Sequence, residues 1–394
     1  MKQCDVAIVG GGPVGSYISE KISEKNYSVA VFEKNKEIGK YMNCAGLVTP
    51  RVFDITNLSK AKAVQNKILG ANIHSPSGNI LTIGGDKIYA LVINRMVFDK
   101  EMMKQSEKKG TDFYVDNKVL SIHRKKTFVE LETSKKLDFK SKILVGADGP
   151  YSAVRAIFDF SKPKEFLKGA GAEVENISID PDFVQIFVGN KIAPGFFAWI
   201  IPKNKKGDEA RIGLCVNGKA TYQPKYYLSK MFENKSSSPF LKDAKITKST
   251  GGIIPIGALK KIVINNILLA GDAAAQVKPT SGGGIYPGLL CAQHCSDVAL
   301  DALKRNDFSS QFLIKYQKLC KKDFGREFNM GLKFRSIFKN LTDKQFDKYI
   351  DKFQGHKIVE TINKYGDIDY PSKLIKPLLI KSPLLLKLIP GVVK

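Results

Sequence analysis

The residues Gly10-Gly11-Gly12-Pro13-Val14-Gly15 place three glycines at the spacing that brings peptide amides against a phosphate. Gly10 permits a tight turn, Gly12 lets backbone amides approach a pyrophosphate, and Gly15 allows a helix to pack closely on a strand. The chemistry offered is the holding of a dinucleotide. Such a loop works only between a strand and a helix, and both can be read here. DVAIV at 5–9 is a short β-branched apolar run of the kind found in a buried parallel strand, and SYISEKISEKN beyond the loop reads as a helix. The helix N-terminus adds positive potential toward the phosphates. A second strand, SVAVFEK, reaches Glu33, whose carboxylate can accept from both ribose hydroxyls and so favours NAD or FAD over NADP. A glycine-rich turn without ligand is the bland alternative, and the strand–helix context argues against it.

Two further segments repeat the same logic. Residues 143–155, ILVGADGPYSAVR, run from an apolar strand into Gly146-Ala147-Asp148-Gly149, then Ser152 and Arg155. Residues 267–285, ILLAGDAAAQVKPTSGGGI, run from another apolar strand into Gly271-Asp272, then Pro279 and the run Gly282-Gly283-Gly284. Each puts an aspartate, Asp148 or Asp272, at the carboxyl end of a strand, where open α/β sheets bind ligands. The glycine run opens the helix IYPGLLCAQHCSDVALDAL, so its amides can face an anionic or polar part of a cofactor. Any one of these turns is more often a plain cap than a site; three in this order point to one bound dinucleotide.

With these motifs in view, the chain resembles the FAD-dependent superfamily typified by aromatic hydroxylases and geranylgeranyl reductases, over roughly residues 3 to 300. The resemblance implies FAD as cofactor, with the glycine loop and Glu33 on its ADP half. It implies Asp272 at the ribityl-phosphate region and Gly283, Gly284 and Ile285 along the isoalloxazine ring. Val14, Arg95 and Val119 complete the implied cofactor set. Arg95 belongs to INRMVFDKEMMKQSEKKG, similar to the family's R-x-x-F-D helix start; the other reading is a surface arginine at a helix N-terminus.

Two segments select the geranylgeranyl reductase branch. YMNCAGLVTPR at 41–51 resembles the Cys-Ala-Gly-Leu segment of archaeal geranylgeranyl reductases, which implies Cys44, Ala45 and Leu47 beside the flavin; Cys44, or a water beside it, is the candidate for proton delivery. A small buried hydrophobe is the commonest fate of a free cysteine and is the alternative. Phe197-Ala198-Trp199-Ile200-Ile201-Pro202 is similar to the prenyl reductase pattern Tyr-x-Trp-x-Phe-Pro with Gly-x-Gly downstream. Here Phe197 replaces Tyr, Ile201 replaces Phe, and Arg211-Ile212-Gly213 stands for Gly-x-Gly. The likeness implies Phe197, Trp199 and Pro202 at an isoprenoid groove, while alternation along FFAWII also suits a tryptophan packed in a sheet core. The implied activity is reduction of isoprenoid double bonds in geranylgeranyl lipids, with an external donor such as reduced ferredoxin or NAD(P)H. An aromatic monooxygenase using NAD(P)H and oxygen shares all three nucleotide motifs and is the rival enzyme.

The elements that must position these residues follow. The expected fold class is α/β: a Rossmann-like FAD-binding domain with an inserted antiparallel-sheet substrate domain and a helical C-terminal region. Residues 1–155 form its first part, 156–261 the inserted sheet read from alternating segments and Pro/Gly turns, 262–305 the return segment, and 306–394 the helical region. Residues 233–240, ENKSSSPF, read as a loop.

With 394 residues the chain exceeds one compact core, and 43% apolar with 26% charged residues marks it as globular. Its 63 Lys+Arg against 38 Asp+Glu leave +25, a field that attracts anionic lipid headgroups or phosphorylated substrates. Only eight are arginines and no nucleic-acid motif accompanies them, so nucleic acid is not an expected partner and a basic, non-catalytic electron carrier or nucleic-acid binder is the outlying alternative. The six cysteines lack CxxC spacing, Cys291 and Cys295 at i and i+4 suit a core, and four scattered histidines suit no metal centre. MKQCDVAIVGGG carries neither a charged n-region nor a cleavage site, so a reducing cytoplasm is expected. Residues 374–394, LIKPLLIKSPLLLKLIPGVVK, are apolar yet punctuated by lysine and proline, which disfavours a spanning helix. They suit either peripheral attachment to an anionic membrane face or a tail closing the substrate lobe.

Overall fold

The computed structural model describes residues 1–40 and 44–381. The chain begins with strand β1 (Lys2–Val9), helix α1 (Pro13–Ser23) and strand β2 (Val29–Phe32). Strands β3 (Gly70–His74) and β4 (Ile80–Gly84) come next, then helix α2 (Arg95–Glu107), β5 (Thr111–Tyr114) and β6 (Asp138–Gly146). A run of long strands follows: β7 (Glu165–Glu175), β8 (Phe183–Val188), β9 (Phe197–Pro202), β10 (Glu209–Val216) and β11 (Lys245–Ile256). Strand β12 (Ile267–Leu269) returns to the first sheet, followed by helices α3 (Ile285–Arg305) and α4 (Ser310–Phe338).

Among the described residues the strands gather in sheets of eight, seven and three. In the first, β12, β6, β1, β2 and β5 lie side by side and all parallel. Parallel strands are covered on both faces, which is why Val6–Ile8, Val29–Phe32 and Ile143–Val145 are apolar without alternation and buried throughout. Helices α1 and α3 supply part of that cover through Ile18, Ile22, Leu289, Cys291, Ala292 and Cys295. All parallel strands end toward one edge, so the turns after β1, β6 and β12 open on the same side.

The second sheet runs β11-β7-β10-β9-β8-β3-β4. It is antiparallel except where β8 lies parallel to β3, with Phe183 opposite Gly70 and Phe187 opposite His74. The inserted sheet therefore extends beyond the expected interval 156–261: residues 70–84 join it, because β8 needs a partner on the side away from β9. One face packs over Ala172, Val174, Ala198, Ile200, Ile212 and Leu214, and the alternate residues turn the other way. Residues 233–240, expected as a loop, end inside a short helix, Ser238–Leu241, where Pro239 fits the first turn.

The C-terminal region is helical. Phe346 and Ile350 on Asp343–Phe353 pack with Leu81 and Val188, so this helix shields the edge of the second sheet at β4. No helix among the described residues is long and apolar enough to cross a membrane. Of the tail expected to act at a membrane or over the substrate lobe, residues 382–394 lie outside the described residues; Ile375–Lys381 is helical.

Candidate functional site

The glycine loop follows β1 as its residue types demand. Gly10 has φ +105°, a left-handed conformation that glycine adopts without strain, and its amide donates to Phe32 O at 2.8 Å. A side chain at Gly15 would overlap the Gly10 carbonyl. Gly12 differs from both: its backbone is ordinary and extended, and beyond its own chain neighbours no atom of the described residues lies within 4 Å of where its Cβ would be. That space lies at the N-terminus of α1, whose cap has no side-chain hydrogen bond. Glu33 at the end of β2 accepts from the Gly11 amide at 3.0 Å and from the Asn35 amide at 2.9 Å. A carboxylate has further lone pairs, so these bonds leave acceptor capacity for a diol.

The second strand end carries Asp148. Its Oδ2 accepts from the amides of Ala153 at 2.6 Å and Val154 at 3.2 Å, while Oδ1 is buried with no partner among the described residues. Burial raises its carboxyl above the ordinary value. The third carries Asp272, half-buried and facing the glycine run: a Cβ on Gly284 would sit 2.8 Å from its Oδ1. Gly284 caps α3 without any side chain, leaving the first-turn amides of that helix for a ligand. Val14 packs against both, lying 3.0 Å and 3.1 Å from would-be Cβ atoms on Gly271 and Gly288.

Between the two sheets lies a cavity of about 930 Å³. Gly12, Val14, Cys44, Ala45, Leu47, Arg95, Asp272, Gly283, Gly284 and Ile285 line it together with Phe197 and Trp199. Arg95 is buried, with its guanidinium on Asp99 at 3.1 Å and 3.2 Å. Burial opposes its charge, but the paired Asp99 carboxylate outweighs that and holds it protonated. Cys44 itself is exposed, and its Sγ accepts from the Gly46 amide at 3.4 Å. Trp199 lies beside Gly213, where a Cβ would meet its ring at 2.6 Å; Phe197 stands edge-on to it at 6.0 Å.

Gly10, Gly15, Glu33, Asp148, Val119 and Pro202 are not among the cavity-lining residues. The first four stand at the strand ends around it. Val119 is buried in the core of the first sheet, and Pro202 is buried at the end of β9 opposite Ala210, so the side chains of both are taken up in packing. Residues 41–43, part of the Cys44 motif, lie outside the described residues.

Sequence reasoning missed the wall made by the C-terminal region. Gly366–Asp369, Pro371 and Leu374 line the cavity. They are held by Asp369, fully buried, which accepts from Lys278 Nζ at 2.7 Å, Thr49 Oγ1 at 2.6 Å and Arg51 Nη1 at 3.1 Å. Asp367 accepts from both guanidinium nitrogens of Arg51, at 2.7 Å and 2.9 Å. Lys278 stood in the quoted KPTSGGGI run, but nothing local pairs it with an aspartate 91 residues on. Among the described residues no cluster of His, Cys, Asp and Glu could hold a metal ion, and Cys291 and Cys295 are fully buried.

These residues fit FAD. The open volume over Gly12, the uncapped amides of two helices and the orphaned acceptor on Asp148 are polar features left unsatisfied by the protein itself, and they surround one cavity. A family model described as an FAD binding domain matches residues 3–289. A digeranylgeranylglycerophospholipid reductase of Methanocaldococcus jannaschii is 30% identical over 97% of this chain and 96% of its own. The chain belongs to the geranylgeranyl reductase family of FAD-binding proteins. FAD is its cofactor. An uncharacterised protein of M. jannaschii is 35% identical over 94% of this chain and 93% of its own. The crystal structure of a geranylgeranyl bacteriochlorophyll reductase-like protein from Thermoplasma acidophilum superposes with a TM-score of 0.87 at 22% identity over 100% of both chains, so the two share a fold.

One electrostatic consequence can be tested at once. Burial pushes the Asp272 carboxyl up to about 6, with Arg95 pulling it back only in part. A carboxyl raised on folding binds its proton more tightly in the folded chain. Its contribution to stability is therefore fully present below the ordinary value of 3.8 and is lost as pH rises to about 6. Flavin-free Asp272→Asn is expected to gain stability relative to the parent chain progressively across that window. Urea denaturation of both proteins between about pH 4 and pH 7 measures it, and parallel curves would refute the assignment.

Proposed function

We propose that the protein is an FAD-dependent reductase that saturates isoprenoid double bonds of geranylgeranyl lipids, either archaeal-type ether phospholipid precursors or geranylgeranyl diphosphate. The observation that carries this reading is the cavity itself, which apolar Phe197, Trp199, Ile201, Val184 and Ile186 line together with Cys44, Arg95 and Asp272. A methyl-branched alkene offers no polar group to grip, so its binding must come from burial, worth about 25 cal/mol per Å² of apolar area removed from water. The same wall keeps water from the reacting carbons. The relative named digeranylgeranylglycerophospholipid reductase supports the substrate class.

Bound FAD supplies the reducing equivalents for saturation. Gly12 and the first amides of α1 would hold its pyrophosphate in the loop that Gly10 and Gly15 shape, Glu33 would hold its ribose, and Asp148 and Asp272 the polar stretch toward the ring. Gly283, Gly284, Ile285, Ala45, Leu47 and Val14 pack its flat part, Arg95 adds a fixed cation, and Val119 contributes backbone beyond the cavity. Cys44 provides the proton for the second carbon of the alkene. The Gly46 amide donates to its sulfur and fixes where that thiol stands. Pro202 shapes the end of the strand that carries Trp199. The electron donor is reduced ferredoxin or NAD(P)H, and the lysine-rich surface lets the protein work peripherally at an anionic membrane on the cytoplasmic side.

Anaerobic incubation of the reduced holoenzyme with unsaturated ether lipids tests this: lipid mass should rise in steps of two hydrogens. NAD(P)H-driven oxygen consumption on a phenol, with no change in lipid mass, would point to the monooxygenase instead. Cys44→Ala should lower turnover about 100-fold, within the usual range for a general acid, while bound FAD stays at the parent level. Unchanged turnover removes the proton role.

A further inference from the structure

We propose that Arg211 is the positioning residue of this site: it sets the turn that presents Cys44 and ties that turn to the substrate sheet. The inference rests on the reading of Cys44 as the proton source for its catalytic consequence, but its geometry stands apart from any substrate.

Arg211 occupies β10 at the position where the resembling pattern has the first glycine of Gly-x-Gly. Its side chain is almost wholly buried, and its guanidinium makes four hydrogen bonds to four different segments. Nη1 donates to Ala45 O at 3.1 Å and to Ile93 O at 2.9 Å. Nη2 donates to Gln65 Oε1 at 2.6 Å, and Nε to Glu173 Oε1 at 3.2 Å. A planar fork can reach all of these at once; an ammonium cannot.

The two carbonyls matter most. Ala45 directly follows Cys44, and Ile93 lies two residues before Arg95, so one guanidinium nitrogen holds the two segments that bring Cys44 and Arg95 to the cavity. The same segments are stitched together by the Ile93 amide, which donates to Gly46 O at 2.8 Å. Gly46 has φ +69°, and a Cβ there would overlap Arg211 Nη1 and approach Ile93 O at 2.6 Å. The turn is thus glycine at this point because the guanidinium fills the space a side chain would take. Its amide in turn faces Cys44 Sγ. Arg211 stands on the strand next to Trp199, with Gly213 two residues on beneath the indole, so strain introduced at the apolar wall reaches the Cys44 turn through a single side chain.

A merely structural ion pair with Glu173 would make Arg211 matter for stability alone. The readout that separates the two is the thiol itself. Cys44 is exposed, whereas Cys215, Cys291, Cys295 and Cys320 are buried, so its alkylation by iodoacetamide can be followed site by site by mass spectrometry on the holoenzyme, without substrate. Arg211→Met should change the Cys44 alkylation rate at least about fivefold and move its pH profile, with flavin content unchanged; Arg211→Lys should fall between. Gly46→Ala attacks the same contact from the other side and should reproduce the effect, which covers the case in which Arg211→Met does not fold. In turnover, kcat should fall more than KM rises. Alkylation rates and pH profiles within twofold of the parent in both Arg211→Lys and Gly46→Ala would overturn the proposal whether or not lipid reduction is observed; changed alkylation with no lipid reduction would leave it standing and remove the proposed function.

Discussion

Gly12→Asp is expected to purify as a folded but colourless protein. The backbone at Gly12 is ordinary, and beyond its own chain neighbours its missing side chain would meet nothing in the described residues, so folding alone gives no reason for glycine there. The reason lies in the bound dinucleotide. A side chain at this position projects into the space over the N-terminus of α1, where amides must approach the pyrophosphate, and a carboxylate adds charge repulsion to the steric block. FAD affinity should fall at least about 100-fold, equivalent to about 2.7 kcal/mol. The flavin-free form should melt within a degree or two of the flavin-free parent. Flavin absorbance per chain and the two melting curves give the result, and a variant as yellow as the parent would show that the pyrophosphate does not pass over Gly12. Gly15→Ala would be a poor substitute test, because its Cβ overlaps the Gly10 carbonyl and damages the fold itself.

The second large effect is expected at Asp369. Its carboxylate is fully buried and accepts from a lysine, an arginine and a threonine at once. Asp369→Ala leaves Lys278, itself buried, without its counter-charge, and removing one partner of a buried pair costs about 3–5 kcal/mol. The loss should appear as a lower denaturation midpoint in urea and as faster proteolysis after residue 365, since the segment lining the cavity has lost its main anchor. Lys278→Met combined with Asp369→Ala should recover part of the loss by removing the orphaned charge; no recovery would mean that the pair is not the cause. The same network predicts acid sensitivity. Asp367 is held well below the usual carboxylate range, because Arg51 and Lys373 outweigh the burial that would raise it. A depressed carboxyl contributes stability above its ordinary value and loses it as pH falls below about 4, so the segment should loosen there first.

The parts of this molecule that could be read from the chain are those whose information is local. A glycine spacing, an apolar strand before it and an acid at the next strand end all lie within about thirty residues, and each has a physical meaning alone. The strands carrying Asp148 and Asp272 were legible for the same reason, as was Trp199 on an alternating segment. What escaped depends on distance in sequence. Arg51 and Asp367 are separated by 316 residues, and an ion pair leaves no periodic trace in either segment. Strands β3 and β4 are short and flanked by glycine and proline, so nothing in them announces a parallel partner at 183–188. Arg211 was noticed only as a departure from a pattern; its four bonds reach residues that are neighbours only once both sheets exist. Val119 and Pro202 show the reverse case, in which a position beside a site has its side chain buried.

The interleaving of the two sheets governs how the chain can be made and cut. The C-terminal half of β6 pairs with β12, so Leu144–Gly146 waits for Ile267–Leu269, and β3 waits for β8. A nascent chain leaving the ribosome thus carries two unfinished strand borders through most of its synthesis, a state that invites chaperone capture and mispairing. Excision of residues 1–155 as a portable nucleotide module would expose the border of β6 and discard Asp272 and the glycine run together. The protein is one assembly problem, solved only when its last third arrives.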